Sequence, residues 1–161
     1  MVQVAHDATN SMDNPFWLYS IDQYQKPGCA EFLLHAQDHY GLDVNILLFI
    51  GWLNLNAKSY CPSALMQNVQ RWQIEKVRPI RQLRRRANSL KHAGLYQALK
   101  DLELFAEKRQ QKMLFDISLS WPVSDGTGFN EFKRSIKNYL AQTCVEEEES
   151  WLQVLYQHLQ P

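Results

Sequence analysis

Apolar residues recur at three- and four-residue intervals along most of the chain, which is the pattern of amphipathic α-helices. The first predicted helix is capped by Asn14, has Pro15 in its first turn and ends near Tyr24, before the Lys-Pro-Gly sequence at 26–28. The second ends at Gly41, because glycine adopts the left-handed conformation at a helix end without steric cost. No strand-like alternation interrupts the series. The pattern predicts an all-α protein, a single-domain bundle of about six to seven helices.

The most apolar stretch, residues 46–53, lies in a predicted third helix that is capped by Asp43 and runs over 44–57. This helix is apolar on nearly every side, so we expect it at the centre of the bundle. The stretch includes Gly51 and is far shorter than the roughly 20 residues that span a bilayer. We therefore expect a soluble protein with no membrane association.

A fourth helix is predicted from Pro62 to about residue 90, with a kink near Arg78 because Pro79 removes one backbone hydrogen bond. On a continuous helix, one face collects the apolar residues Leu65, Val69, Trp72, Ile80, Leu83, Ala87 and Leu90. The opposite face, which we expect to be exposed, holds Arg71, Arg78, Arg81 and Arg85. The face with the leucines is predicted to be buried.

Three further helices are predicted over 95–117, over 129–140 and around 151–159, with a loop at 118–128. The helix over 95–117 has an apolar stripe of Leu95, Leu99, Leu102, Ala106 and Met113. The helical domain is predicted to cover 14–161. Residues 1–13 are mostly polar, lack the features of an export signal, and are predicted to form a disordered tail.

The formal net charge is zero, but the charges are unevenly distributed. Residues 62–100 contain nine basic side chains and one acidic one, whereas the segments on either side each carry a net charge of −4. This asymmetry predicts a positive face. The candidate partner-binding residues are Arg71, Arg78, Arg81, Arg84, Arg85 and Arg86.

Three interpretations of the arginines stay open. They can pair inside the protein with Asp38, Glu103, Glu107 or the glutamates at 146–149, or they can bind an acidic surface of another protein. Nucleic acid is a further possible partner, because basic clusters bind phosphates. It is the less favoured one, since the chain has neither a helix-turn-helix signature nor aromatic residues interleaved with the arginines.

Polar residues next to the apolar run of the third helix form a second candidate site. A buried carboxylate or amide must find a partner or cost several kcal/mol. In one interpretation Asp43 caps the helix, Asp38 pairs with a basic side chain, and Asn45 forms hydrogen bonds with backbone groups in the turn. In the other, these residues form the floor of a pocket for a small anionic ligand. The candidate ligand-binding residues are Trp17, Tyr19, Gln37, Asp38, Asp43, Asn45 and Trp52, with Phe49 in the wall.

Metal and catalytic sites have little support in the sequence. His35 and His39 are spaced to share one helix face, but a third ligand would have to come from Asp38, Asp43 or His6, and no cysteine pair supports the site. Cys29 points away from His35. We predict no metal and no cofactor, and we favour a protein without enzymatic activity. The odd number of scattered cysteines, Cys29, Cys61 and Cys144, favours reduced thiols in the cytoplasm.

A set of residues in the N-terminal half forms a distinctive pattern: Asn14-Pro15-Phe16-Trp17, Tyr19-Ser20, Gln37-Asp38, Gly41, Asp43-Val44-Asn45, Leu47-Leu48 and Trp52-Leu53. This pattern resembles a bacterial family of small cytosolic proteins that is catalogued as a domain of unknown function. The similarity continues through Arg78-Pro79 and covers about residues 14–115. The resemblance implies a helical, single-domain, cytosolic protein, and it brings no activity or catalytic residue.

The sequence thus favours an interaction or regulatory protein that presents arginines to an acidic partner. The alternative is a binder of a small anionic ligand, or an enzyme acting on one, at Asp38, Asp43 and Asn45. Binding of nucleic acid is the second alternative. The oligomeric state stays open.

Overall fold

The structure is a computed structural model and describes residues 12–161. Its α-helices are α1 (Pro15–Tyr24), α2 (Cys29–Tyr40), α3 (Val44–Leu55), α4 (Ala64–Trp72), α5 (Arg78–Ser89), α6 (Ala93–Leu119), α7 (Phe129–Leu140) and α8 (Glu149–His158). A π-helical turn, Gln73–Val77, joins α4 and α5 into one continuous helix. The described part of the chain therefore has seven helical segments and no strand, which confirms the predicted all-α bundle.

The first two helices begin and end where their capping residues predict. The side chain of Asn14 accepts a hydrogen bond from the Trp17 amide at 3.0 Å, which satisfies one of the free donors of the first turn. Gly41 ends α2 with φ +67°, and its amide donates to the Gln37 carbonyl at 3.0 Å. The short connection that follows places the start of α3 beside α2.

Helix α3 lies at the centre of the bundle, as predicted. Every residue from Asn45 to Asn54 is buried, and the helix contacts α1, α2, α6 and α7. It ends two residues earlier than predicted, because Ala57 takes φ +51° and the Lys58 amide bonds back to the Leu53 carbonyl at 2.8 Å. Gly51 allows close packing here: a Cβ atom at this position would lie 2.5 Å from the Tyr19 hydroxyl.

Aromatic side chains connect α1 to the central helix. Phe16 and Phe49 are fully buried with ring centroids 5.3 Å apart, and Trp52 lies 5.7 Å from Phe16. Trp121, from the loop after α6, packs on Phe49 at 5.8 Å. Each such pair adds about 0.5–1.5 kcal/mol to the stabilisation from burial. These contacts fix α1 and α3 relative to each other, and both helices carry predicted site residues.

The predicted buried face of the helix over 62–90 is partly wrong. Val69 and Ala87 are buried, but Leu65, Leu83 and Leu90 have exposed fractions of 52%, 51% and 79%. Arg81, which was predicted to be exposed, turns inward with a side-chain exposure of only 13%. The π-helical turn has more residues per turn than an α-helix, so the phase of a continuous α-helix is not kept across it.

Helices α5 and α6 form an antiparallel hairpin that extends beyond the main core. Between residues 78 and 102 only Ala87 is buried, whereas the second half of α6 packs against the body of the bundle. The predicted stripe of α6 follows the same division. Ala106 is buried, whereas Leu95 and Leu102 have exposed fractions of 45% and 49%.

The predicted disordered tail at 1–13 lies outside the described residues, except for its last two positions. Met12 is buried, and Asp13 forms an ion pair with Lys108. Within residues 12–161, no helix combines the length and apolarity that crossing a bilayer requires.

Candidate functional site

Asp43 caps α3 and also anchors a buried polar network. Its Oδ1 accepts a hydrogen bond from the Asn45 amide at 2.9 Å, and its Oδ2 accepts one from Gln110 Nε2 at 2.6 Å. Its own amide donates to the Tyr139 hydroxyl at 2.9 Å. The cap therefore also links α3 to α6 and α7.

Two glutamines of α6 complete this network around Asn45. The Asn45 side chain donates from Nδ2 to Gln110 Oε1 at 2.8 Å and accepts at Oδ1 from Gln111 Nε2 at 2.8 Å. Gln110 and Gln111 have exposed fractions of 0% and 3%. Both polar ends of Asn45 are thus used by protein groups, whereas Gln111 Oε1 is buried without a partner among the described residues.

The carboxyl group of Asp43 is enclosed, and its burial raises its pKa above the ordinary value. The hydrogen bonds from Gln110 and Asn45 and the charge of Arg81 oppose this increase without cancelling it. Burial likewise raises the pKa of Tyr139, and the charge of Asp43 contributes in the same direction. The start of α3 is therefore a desolvated site in which an acidic proton is retained more strongly than in water.

Arginines of α5 reach toward this network and pair with glutamates of α6. Arg81 donates from Nε to Glu103 at 2.8 Å and from Nη2 to Glu107 at 2.6 Å. Arg84 also pairs with Glu103. The guanidinium of Arg84 lies 5.8 Å from the centre of the Tyr96 ring. Two guanidinium groups therefore share one nearly buried carboxylate, which joins α5 to α6.

The two glutamates respond oppositely to this environment. Burial alone would raise the pKa of Glu103, but the hydrogen bonds from Arg84 and Arg81 outweigh it and hold the pKa below the ordinary value. For Glu107, burial outweighs the attraction of Arg81, so the pKa is raised. The pKa values of these two neighbouring carboxyl groups are therefore shifted in opposite directions.

The remaining predicted arginines lie nearer to solvent. Arg85 pairs with Asp38 at 2.7 Å, and both side chains are about half exposed; the hydrogen bond from Arg85 lowers the pKa of Asp38. Arg71, Arg78 and Arg86 are exposed and form no ion pair with any described residue. The six arginines thus do not form one continuous face, because the pairs with α6 turn Arg81 and Arg84 inward.

A cavity of about 620 Å³ lies between α1, the start of α3 and the α5–α6 hairpin. Its apolar walls are Trp17, Ile21, Tyr24, Leu34, Val44, Leu48 and Leu104. Its polar and charged lining includes Asp43, Asn45, Gln111, Arg81, Arg84, Arg85, Glu103 and Glu107. The volume falls within the range of about 300–1,000 Å³ that is usual for small-molecule sites.

The structure divides the predicted ligand-binding residues. Trp17, Gln37, Asp43 and Asn45 line the cavity. The other three do not: Trp52 packs in the core, the Tyr19 hydroxyl donates to the Leu159 carbonyl at 2.7 Å, and Asp38 pairs with Arg85.

The histidine pair and the cysteine lie apart from the cavity. The rings of His35 and His39 stack with centroids 3.9 Å apart, and Cys29 is buried with its Sγ 3.7 Å from the His158 carbonyl oxygen. In the part of the chain that the structure describes, no group of three or more His, Cys, Asp or Glu side chains is arranged to hold a metal ion.

The glutamines of α6 were not among the predicted site residues. Gln110 interrupts an apolar stripe, since it lies four residues after Ala106 and three before Met113. A polar residue at such a position needs a buried partner, and this signal could have identified it. Ile21, Tyr24 and Leu104 have no comparable signal, because only the packing of distant segments brings them together.

The fold defines an all-α helical protein whose hairpin and first helices enclose a mixed polar and apolar cavity. Residues 15–114 match the family described as a protein of unknown function (DUF2390), and the chain belongs to that family. The matched region contains α1 to α5 and most of α6, and so every element that lines the cavity. No curated protein and no solved structure matches the chain.

Proposed function

We propose that this protein is a non-enzymatic interaction protein, and that its α5–α6 hairpin binds an acidic amphipathic helix of a partner. One observation carries the proposal: residues 78–100 contain seven basic side chains and no acidic one, and four of the exposed leucines of the same hairpin share one face. These four are Leu83, Leu90, Leu95 and Leu102, and we call them the leucine face. Exposed apolar clusters with polar rims are typical of protein-binding surfaces.

The four leucines lie on one side of the hairpin. Leu83 on α5 and Leu90, which directly follows the last residue of α5, are seven residues apart, as are Leu95 and Leu102 on α6. Seven residues correspond to about 10.5 Å along a helix axis. Arg81 and Arg84 reach across to Glu103 on the cavity side. At about 100° per residue, Leu83 lies about 160° from Arg81 around α5, so the leucine face points away from the cavity.

Charge selects the partner for this surface. Arg86 and Lys91 on the α5 side and Arg109 on the α6 side are exposed near the leucines and form no ion pair with described residues. A helix with leucines on one side and glutamates on the other would bury its apolar side between α5 and α6 and meet these cations at its edges. This is the helix-in-groove mode of recognition.

The same charges argue against other occupants. A second copy of the chain would bring its own Arg86, Lys91 and Arg109 against the first set, with repulsion on both sides of an isologous contact. Nucleic acid is disfavoured because leucines do not stack on bases as aromatic side chains do, and acids of the chain already occupy Arg81, Arg84 and Arg85. The scattered free thiols Cys29, Cys61 and Cys144 support the cytoplasm as the place of binding.

A labelled synthetic peptide tests the proposal. The probe is an amphipathic helix of about 20 residues with leucines on one face and glutamates on the other, and its control has the same composition in scrambled order. Fluorescence anisotropy with the full chain should show binding to the amphipathic peptide alone. The affinity should fall with added salt, because the rim charges are screened.

Paired variants locate the binding. Leu83→Gln with Leu90→Gln should weaken binding by about tenfold or more, which corresponds to about 1.4 kcal/mol. Leu119→Gln is the matched control, since Leu119 is 64% exposed but lies at the far end of α6. Arg86→Glu with Lys91→Glu should also weaken binding, whereas Lys137→Glu on α7 should not.

Three results would contradict the proposal. One is equal binding of the amphipathic and scrambled peptides. Another is a homodimer at moderate salt that Leu83→Gln and Leu90→Gln dissociate, which would make a second copy the occupant. The third is tighter binding of RNA or DNA at low salt than of the peptide.

A further inference from the structure

We infer that the cavity between α1, α3 and the α5–α6 hairpin binds a small carboxylate with an apolar body, whose charged end meets Arg81. This site is separate from the leucine face, which lies on the opposite side of the hairpin. Three observations support the inference: free donors on a nearly buried guanidinium, the sharing of one carboxylate by two arginines, and a continuous apolar wall.

Arg81 retains hydrogen-bond donors that the described residues do not use. Its Nε and Nη2 bond to Glu103 and Glu107, whereas Nη1 bonds to no described residue. Arg81 lines the cavity, so its guanidinium is placed to meet a ligand there. A guanidinium offers five donors in one plane, which suits the two oxygens of a carboxylate.

The lining of the cavity contains charges of both signs, and its basic groups are Arg81, Arg84, Arg85 and Lys100. Arg81 and Arg84 share Glu103, so one carboxylate faces two guanidinium groups. Glu107 provides the second negative charge, and burial raises its pKa above the ordinary value. A bound carboxylate can therefore replace the charge of Glu107 beside Arg81 while Glu107 takes up a proton.

The rest of the cavity suits an apolar body. Trp17 and Ile21 of α1, Val44 and Leu48 of α3 and Leu104 of α6 line it together. The side-chain amide of Asn45 is already hydrogen-bonded to Gln110 and Gln111, so it does not need hydrogen bonds from a ligand. A ring or branched chain would lie against these residues and release water from apolar surface.

Phenylacetate is a suitable probe, with phenylethanol and acetate as matched controls. Phenylethanol keeps the ring without the charge, and acetate keeps the charge without the ring. Proton–nitrogen NMR spectra of the full chain should show shifts at the Trp17 indole and at Gln111, both of which line the cavity. We expect phenylacetate to bind about tenfold or more tightly than either control.

Two pairs of variants test where the probe binds. Ile21→Trp should fill the cavity and abolish binding, whereas Ile74→Trp, at a 55% exposed position of the π-helical turn, should not. Arg81→Lys keeps the positive charge for Glu103 and Glu107 but loses the planar fork, so binding should weaken by about tenfold. Arg78→Lys is its control, because Arg78 is exposed and lies outside the cavity lining.

Proton uptake provides an independent test on the unmodified protein. The charged and titratable groups around Glu107 are Arg81 from α5, Glu103 from α6, Asp43 before α3 and Tyr24 from α1. Calorimetry in buffers with different ionisation enthalpies should show that protons are taken up on binding. The affinity for phenylacetate should then fall as the pH rises.

Several results would overturn the inference. They are equal affinities for phenylacetate and phenylethanol, shifts confined to residues outside the cavity, unchanged binding by Ile21→Trp, and absence of binding at millimolar phenylacetate. The affinities of phenylacetate, phenylethanol and acetate are compared on the unmodified protein. The test therefore does not depend on whether a variant folds.

Discussion

Neutralising Glu103 should destabilise the protein far more than neutralising an exposed glutamate. The side chain of Glu103 is only 9% exposed and accepts hydrogen bonds from both Arg81 and Arg84. Glu103→Gln keeps the shape but adds donors that face two guanidinium groups. The two arginines would then have only Glu107 as an acidic partner in the hairpin.

The expected magnitude follows from these contacts. A hydrogen bond to a charged group contributes about 1.5–3 kcal/mol, and removing one partner of a buried pair costs about 3–5 kcal/mol. Arg84 is 24% exposed, so water compensates for part of its loss. We expect a loss of about 2–4 kcal/mol, or about 5–15 °C in the melting temperature of a chain of this size.

Urea unfolding followed by circular dichroism near neutral pH measures this change. Glu131→Gln is the matched control, because Glu131 pairs with Arg134, whose side chain is 59% exposed, and such surface pairs contribute about 1 kcal/mol or less. A Glu103→Gln variant as stable as the control would refute the reasoning, since the pair with Arg81 and Arg84 would then not hold the hairpin together.

Three further predictions follow from the same geometry. Burial raises the pKa of Glu107, so as the pH rises above about 4.5 this carboxyl group ionises in the unfolded chain before it ionises in the folded one. The wild type should therefore lose stability relative to Glu107→Gln between the two pKa values, which unfolding at a series of pH values measures. Asn45→Ala removes two side-chain hydrogen bonds to α6 and should cost about 2–4 kcal/mol in urea unfolding; a loss below about 0.5 kcal/mol would show that the network contributes little. Gly51→Ala should lower the melting temperature because the new Cβ would lie 2.5 Å from the Tyr19 hydroxyl, whereas Gly94→Ala, with no atom within 4 Å, should be neutral or stabilising; equal melting temperatures would contradict this packing.

Local signals in the sequence predicted the helices that the structure contains. Asn14, Gly41 and Asp43 each cap or end a helix through contacts within a few residues, so their roles depend little on the rest of the chain. The apolar run of α3 is similar, since a helix with no polar side must be surrounded by others.

The orientation of α5 could not be predicted in this way. Hydrophobic periodicity assumes that arginines face water, but Arg81 and Arg84 face inward because Glu103 and Glu107 neutralise them from another helix. The stabilisation from these ion pairs exceeds the stabilisation that burying Leu83 would give, so Leu83 and Leu90 stay exposed to solvent. The cavity depends on the same long-range arrangement, so the sequence indicated some of its residues but not their grouping.

NMR mapping of the acidic amphipathic peptide on the full-length, unmodified protein tests the proposed function most directly. We predict that shifts concentrate on the hairpin, at Leu83, Leu90, Leu95 and Leu102 and at their basic neighbours Arg86 and Lys91. Shifts spread over the acidic C-terminal helices, or none at peptide concentrations that saturate the anisotropy signal, would show that the hairpin is not the binding surface.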